Sequence, residues 1–245
     1  MLKTMKFIGI AVVLVVVAVV LFGCFAPVFG GRQSPESLQR IEGSPNFVEG
    51  EFVNAVPTSV STRAPESETS IIDWIFQAED KNPSAPLPSE IFHPEDLTEG
   101  KFVWLGHATL LMKLNGLVIM TDPVFHRASP IPVFGSPFPI ENPIPIGNLP
   151  VIDAVVISHD HYDHLDHKAV QWLADRVKHF FVPLGLKAHL VRWDVDPNAI
   201  TEMDWYESEM HRNVQFTLAP ARHFSGRGLW DRNATLWGSW IVSSD

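Results

Sequence analysis

The chain has 245 residues, 46% of them hydrophobic and 19% charged, so it carries enough apolar material for a packed core and is no disordered polymer. Eighteen Lys and Arg stand against 28 Asp and Glu, a formal charge of −10, and no nucleic-acid partner is expected because gripping phosphates needs a basic face. The single cysteine, Cys24, excludes a disulfide framework and a Cys-rich zinc module.

Lys3 and Lys6 precede a run, Phe7 to Gly31, with no charged residue. Phe7–Ala26 alone would be about 30 Å long as a helix, the thickness of a hydrocarbon core. With the lysines ahead of it, the positive-inside rule puts the N-terminus in the cytoplasm and the rest of the chain on the extracytoplasmic side. A signal anchor fits this length better than a cleaved secretory peptide, whose apolar stretch is shorter. A lipoprotein signal, acylated at Cys24 after Leu21-Phe22-Gly23, is the other route to the membrane. Residues 1–31 are therefore expected to form a transmembrane or lipoprotein anchor.

Residues 32–97 are acidic and rich in Ser-Pro, Asn-Pro and Ala-Pro pairs. They read as a linker of extended or loosely ordered chain, with one short amphipathic piece at Ile71–Phe76 around Trp74. From Lys101 onward, fifteen acidic and twelve basic residues nearly balance, which marks a domain over 98–245.

In that domain Phe102–Leu105 reads as a short strand closed by Gly106. Thr109–Leu114 and Leu117–Thr121 flank Asn115-Gly116, the pair a type I′ hairpin turn favours. Asp122, between Thr121 and Pro123, either caps a turn or points into a cleft. Val151–Ser158 is an apolar, β-branched run that suits a strand covered on both faces.

That strand leads into His159-Asp160-His161-Tyr162-Asp163-His164-Leu165-Asp166-His167, which holds four of the eleven histidines and three aspartates. Side chains two apart in extended chain share a side, so His159 and His161 can hold one ion. Asp163 and His164 are adjacent, cannot follow that alternation, and face a second ion from the loop. Imidazoles with one carboxylate suit Zn²⁺ best, Fe and Mn being the other candidates. A solvated loop of pH-sensitive histidines is the bland reading. Asp166 either caps a helix over Lys168–Lys178 or orients a ligating imidazole.

Strand, Thr-Asp-Pro, strand and then His-x-His-Tyr-Asp-His-Leu-Asp resembles the metallo-β-lactamase superfamily. Trp104-Leu105-Gly106-His107-Ala108-Thr109, Thr121-Asp122-Pro123-Val124-Phe125, Phe181-Val182-Pro183-Leu184-Gly185 and Leu236-Trp237-Gly238-Ser239-Trp240 narrow it to the branch of N-acyl-phosphatidylethanolamine-hydrolysing phospholipase D. The resemblance implies an α/β fold, an αββα sandwich present here mainly as its first half, with two metal ions, expected as Zn²⁺, at one edge. It implies His159 and His161 on the first ion, Asp163 and His164 on the second, and Asp122 as a supporting carboxylate. His223, after the strand Val214–Leu218 and within Pro220-Ala221-Arg222-His223-Phe224, becomes the third ligand of the first ion. The family pattern continues with a Gly-Asp-Thr-Gly stretch and a later histidine. The sequence stops before them, so it is expected to be truncated by about a hundred residues.

The expected function is metal-dependent hydrolysis, by preference cleavage of the phosphodiester of an N-acyl phospholipid or similar amphiphile, with Asp163 holding the attacking water in line. His107 and Arg227 are candidate substrate contacts, the guanidinium suiting a phosphate, with Arg227 otherwise solvated or paired to Asp231. Ala128–Pro150, rich in Pro, Ile and Phe, either lines an acyl groove, dips into a membrane, or packs against the segment around Trp74. The alternatives are a lactonase, and a catalytically incomplete, membrane-tethered fragment that binds metal or lipid.

Overall fold

A computed structural model describes residues 2–58, 82–131 and 134–244. The segment around Trp74 lies outside the described residues. The apolar N-terminus forms one helix, α1 (Leu2–Phe25). Among the described residues no helix is long and apolar enough to cross a membrane.

The acidic segment is not all loose chain. Ser34 caps α2 (Pro35–Gly43) by accepting from the Ser37 amide at 3.1 Å, and β1 (Phe47–Val48) and β2 (Glu51–Phe52) form a small antiparallel ladder. Ile41 and Phe52 are fully buried in the core of the following domain. Two apolar anchors, each distant in sequence from what it covers, hold the segment down. That is why composition alone predicts a spacer here.

The domain is built on two sheets. The larger contains β3 (Phe102–Gly106), β4 (Thr109–Leu114), β5 (Leu117–Thr121), β6 (Ile152–Val156), β7 (Val177–Pro183) and β8 (Ile200–Met203), side by side in that order. The first two pairings are antiparallel and the last three parallel. Asn115 and Gly116 turn the β4–β5 hairpin with φ of 47° and 76°, both positive as the type I′ turn requires. The smaller sheet is antiparallel, with β10 (Val214–Ala219) between β9 (Ser208–His211) and β11 (Ser239–Ser243).

Alternation along the strands makes two cores. Val155, Ile157, Phe180 and Val182 face α3 (His167–Leu173) and α4 (Lys187–Arg192), burying Val170, Leu173, Leu190 and Trp193. Ala154, Val156 and Phe181 face the small sheet, where the Phe181 and Phe216 rings stack with centroids 4.3 Å apart. Helix, sheet and sheet thus form successive layers, the mixed α/β architecture of a metallo-β-lactamase-type fold. Helix α3 is shorter than the expected Lys168–Lys178, because the chain already enters β7 at Val177. The Pro-rich crossover from β5 to β6 contributes one 3-10 turn, Ile146–Asn148, and lies along residues 87–89: Leu87 donates to Pro139 O at 2.8 Å, and Asn142 binds Ser89.

Candidate metal centre

The carboxyl ends of three strands converge. Asp122 follows β5, the 158–166 loop follows β6, and His223 follows β10. In open α/β sheets this end is where ligands bind.

Three imidazoles meet here. His159 Nε2 lies 2.9 Å from His161 Nδ1 and 3.0 Å from His223 Nε2, and the latter is 3.2 Å from His161 Nδ1. Around a tetrahedral ion with metal–nitrogen bonds of ~2.0–2.1 Å, neighbouring nitrogens sit roughly 3.3 Å apart. The spacing therefore fits a small divalent cation.

The protonation pattern fits as well. Asp122 Oδ2 can only accept, and it takes Ser158 Oγ–H at 2.7 Å and His164 Nδ1–H at 2.8 Å. With its hydrogen committed to Asp122, Ser158 Oγ accepts from His159 Nδ1 at 2.9 Å. Both rings are thereby held as Nδ1–H tautomers, leaving each Nε2 lone pair free for a ligand. One carboxylate and one hydroxyl orient both halves of the site. Asp122 itself has a φ of 34°, a left-handed conformation uncommon outside Gly, Asn and Asp, and is pinned by Ser158 N on Oδ1 and Thr109 Oγ1 on its carbonyl.

Burial, with the neighbouring imidazoles adding to it, drives the His159 pKa far down and pushes that of His161 to about 4; burial lowers His223 too. All three are neutral at physiological pH, the form that binds metal. His164 moves the other way. Burial would lower it, but the hydrogen bond and charge of Asp122 prevail and raise it.

A second group, His107, Asp163 and His164, lies beside the first. His107 Nε2 is 3.1 Å and His164 Nε2 3.8 Å from Asp163 Oδ2. His107, expected to contact substrate, instead stands as a potential third donor of this group, in the turn between β3 and β4 with φ of 44°. Its separation of more than fifty residues from the histidine loop hides it from any spacing argument.

The Arg227 expectation is corrected, and of the two roles open to Asp166 the structure shows the helix cap. Arg227 is only 4% exposed, and its donors are taken by backbone: Nη1 by Asp160 O at 2.5 Å and Leu165 O at 2.8 Å, Nε and Nη2 by Val28 O at 3.1 and 3.0 Å. It knits the histidine loop to the segment after α1, with four of its five N–H donors on backbone carbonyls, and it does not line the cleft beside the donor groups. Asp166 caps α3 through Lys168 N and Ala169 N, and also accepts from Phe125 N, His126 N and His126 Nδ1. The imidazole it orients belongs to neither donor group.

Two positioning residues escaped sequence reasoning. Asp160, buried inside the motif, accepts from Gly226 N at 2.8 Å and Thr235 Oγ1 at 2.9 Å, and burial pushes its pKa up to about 6. Asn54 clasps the backbone of His223 on both sides, donating to its carbonyl at 2.8 Å and accepting from its amide at 3.0 Å. His159, His223 and His164 line a cleft of about 470 Å³ together with Arg222, Trp237 and Trp240.

A layered α/β sandwich with histidines gathered at its strand ends defines the class. Residues 118–245 match the family described as "Beta-lactamase superfamily domain", and the chain belongs to that superfamily. It is 42% identical over 205 residues to an uncharacterized protein of Mycobacterium tuberculosis, covering 81% of this chain and 55% of that protein. It is 38% identical over 230 residues to N-acyl-phosphatidylethanolamine-hydrolyzing phospholipase D 1 of Caenorhabditis elegans, covering 88% of this chain and 61% of that one. A solved structure of Igni18, a metallo hydrolase from the archaeon Ignicoccus hospitalis, aligns with a TM-score of 0.42 at 18% identity, over 59% of this chain and 55% of that one. The chain thus spans little more than half the length of the curated relatives it matches.

Proposed function

We propose that the protein is a metal-dependent hydrolase that cleaves the phosphodiester of an N-acyl phospholipid or a similar amphiphile, with zinc as its metal. The observation that carries this reading is the trio of neutral imidazoles, with His159 held as its Nδ1–H tautomer through Ser158 and Asp122, directly beside a carboxylate-bearing group whose His164 the same Asp122 orients. His159, His161 and His223 would hold one ion, and His107, Asp163 and His164 a second. Ions bound there would polarise a phosphoryl oxygen and make a water acidic near neutral pH. Asp163, half-exposed at the edge of the group, is placed to accept that water's proton and hold it in line.

Two features support an amphiphilic substrate. One is the likeness to a protein named for hydrolysing N-acyl-phosphatidylethanolamine. The other is a largely apolar groove of about 670 Å³ along β3, lined by Phe92, Val103, Leu105, Phe125 and Ile140, with Glu90, Asp96 and Lys101 also on its lining. The N-terminal helix, with Lys3 and Lys6 in its first turns ahead of the apolar run, would attach the chain to a membrane by insertion or by acylation at Cys24, with the domain on the extracytoplasmic side.

The test is to load the full chain with zinc and offer it N-acyl phosphatidylethanolamine and an N-acyl lactone. Release of phosphatidic acid that stops with chelator and returns with zinc is expected. Turnover of the lactone alone would replace this reading with the lactonase, and no turnover at full metal content would leave a binding module.

A further inference from the structure

Helix α1 is apolar all round, and its large described side chains, from Phe7 to Phe25, are exposed on every side. A helix of that kind requires an apolar surrounding. Its end is not loosely tethered. Arg192 donates to Phe25 O at 2.9 Å, Trp193 Nε1 to Pro27 O at 2.7 Å, and Gly31 N to His189 Nδ1 at 3.0 Å. At Gly30, whose φ is 88°, a Cβ would lie 2.0 Å from His189 Nδ1, and at Gly31 it would lie 2.0 Å from Ala188 O. Only a glycine pair allows this contact. Whatever surrounds α1 must therefore also meet the domain face fixed beside it.

That face has a consistent chemistry. Phe22 and Ala26 form one wall of a cleft of about 530 Å³, and Pro130 and Pro137 of the crossover loop form another. From the same loop Ile131 and Phe134 stand exposed. On the other side, Asp231 accepts from Arg227 N and Gly228 N to close a tight turn, which presents Leu229 and Trp230 at its tip, 73% and 78% exposed. Arg127, Lys168 and Arg192 surround the helix end, all exposed, and among the described residues none of them pairs with a carboxylate. The one acidic residue lining the cleft, Asp166, is buried and already shared among backbone amides. In a chain of charge −10, three exposed cations beside exposed Trp, Leu and Phe are a local reversal.

We propose that this face docks on an anionic lipid surface, with Leu229, Trp230 and Phe134 entering the headgroup layer and Arg127, Lys168 and Arg192 meeting lipid phosphates. Tryptophan favours that depth, and basic residues there are attracted to anionic lipid. The proposal rests on the membrane attachment proposed above and is independent of catalysis. It would orient the domain, with Tyr162 and Asp166 of the histidine loop facing the lipid-side cleft while His159, His161 and His164 of the same loop face the metal centre.

The test uses the full chain with Cys24→Ser and Leu229→Cys, carrying an environment-sensitive dye at 229, mixed with vesicles of phosphatidylcholine alone or with equal phosphatidylglycerol. A matching dye at Tyr206→Cys, exposed on a turn before β9, is the control. Expected are co-flotation, a blue shift and quenching by lipid-borne quenchers at 229 in the anionic vesicles, and none at 206. Arg127→Glu with Lys168→Glu should weaken the signal at 229 by about tenfold or more, each cation being worth roughly fivefold near an anionic surface. Co-flotation with 229 in water in both vesicles would overturn the docking face and leave the anchor standing. A chain that floats with neither would overturn both the docking face and insertion of α1. Neither result touches the hydrolase reading, because no turnover is measured.

Discussion

The two donor groups share one loop but differ in how they are held. The His159–His161–His223 group is closed in: His159 is 4% exposed, Asp160 pins the loop to Gly226, and Asn54 clamps His223. In the His107–Asp163–His164 group the imidazole of His107 and the carboxylate of Asp163 are about half exposed, and only His164 has a buried partner, Asp122. Rigid support makes a donor set selective and slow to exchange, while an open set has positions left for water and substrate. On the proposed function, the difference predicts tight metal retention at the first group and the reacting molecules at the second.

Arg227 underpins both groups, so removing it tests their common frame. Arg227→Ala should lower stability by about 3–5 kcal/mol, because it leaves the buried Asp160 without its neighbouring cation, read as the melting temperature. A raised KM with unchanged melting would restore the substrate-contact role instead. Asp122→Ala frees the tautomers of His159 and His164 together. It should weaken metal binding at both groups by about 10–100-fold, measured by competition with a chromophoric chelator. A loss at one group alone would break the shared-carboxylate account. Asn54→Ala is narrower, with an expected loss of about tenfold confined to the first group. Asn54→Asp, which keeps the acceptor for the His223 amide, should recover part of that loss.

Acid should separate the groups most gently. Protons compete with metal for imidazole nitrogen, so the group with the higher pKa releases first as pH falls. His164 is raised above the ordinary histidine value, whereas burial holds His161 near 4. A cobalt-loaded protein is therefore expected to lose its visible spectrum in two steps, the second group at the higher pH. A single step would show the two groups to be equally held.

How much of this was legible depended on sequence distance. The hairpin at Asn115-Gly116, the buried strand β6 and the histidine loop announce themselves through neighbours within a few residues, as does Asp166 as a helix cap. His223 was reached through family resemblance. Its convergence with His159, 64 residues away, became visible only in the folded chain. The roles of Arg227 and Asn54 were hidden because their partners, Val28 and His223, are 199 and 169 residues distant. The docking of residues 26–54 was hidden for a related reason. An acidic, proline-bearing composition reads as spacer, and a few well-placed contacts, Ile41, Phe52 and the Gly30-Gly31 pair, override it.

The most direct test of the metal centre is the metal content of the full chain after removal of loosely bound ions, compared among the wild type, His223→Ala and His167→Ala. His167 lies at the end of the same histidine run but packs on Trp193, with ring centroids 5.1 Å apart, and belongs to neither donor group. The predicted result is retained metal in the wild type and His167→Ala, and loss of the tightly held ion in His223→Ala, where two imidazoles remain. Equal retention in His223→Ala and the wild type, with loss in His159→Ala, would contradict the three-imidazole site.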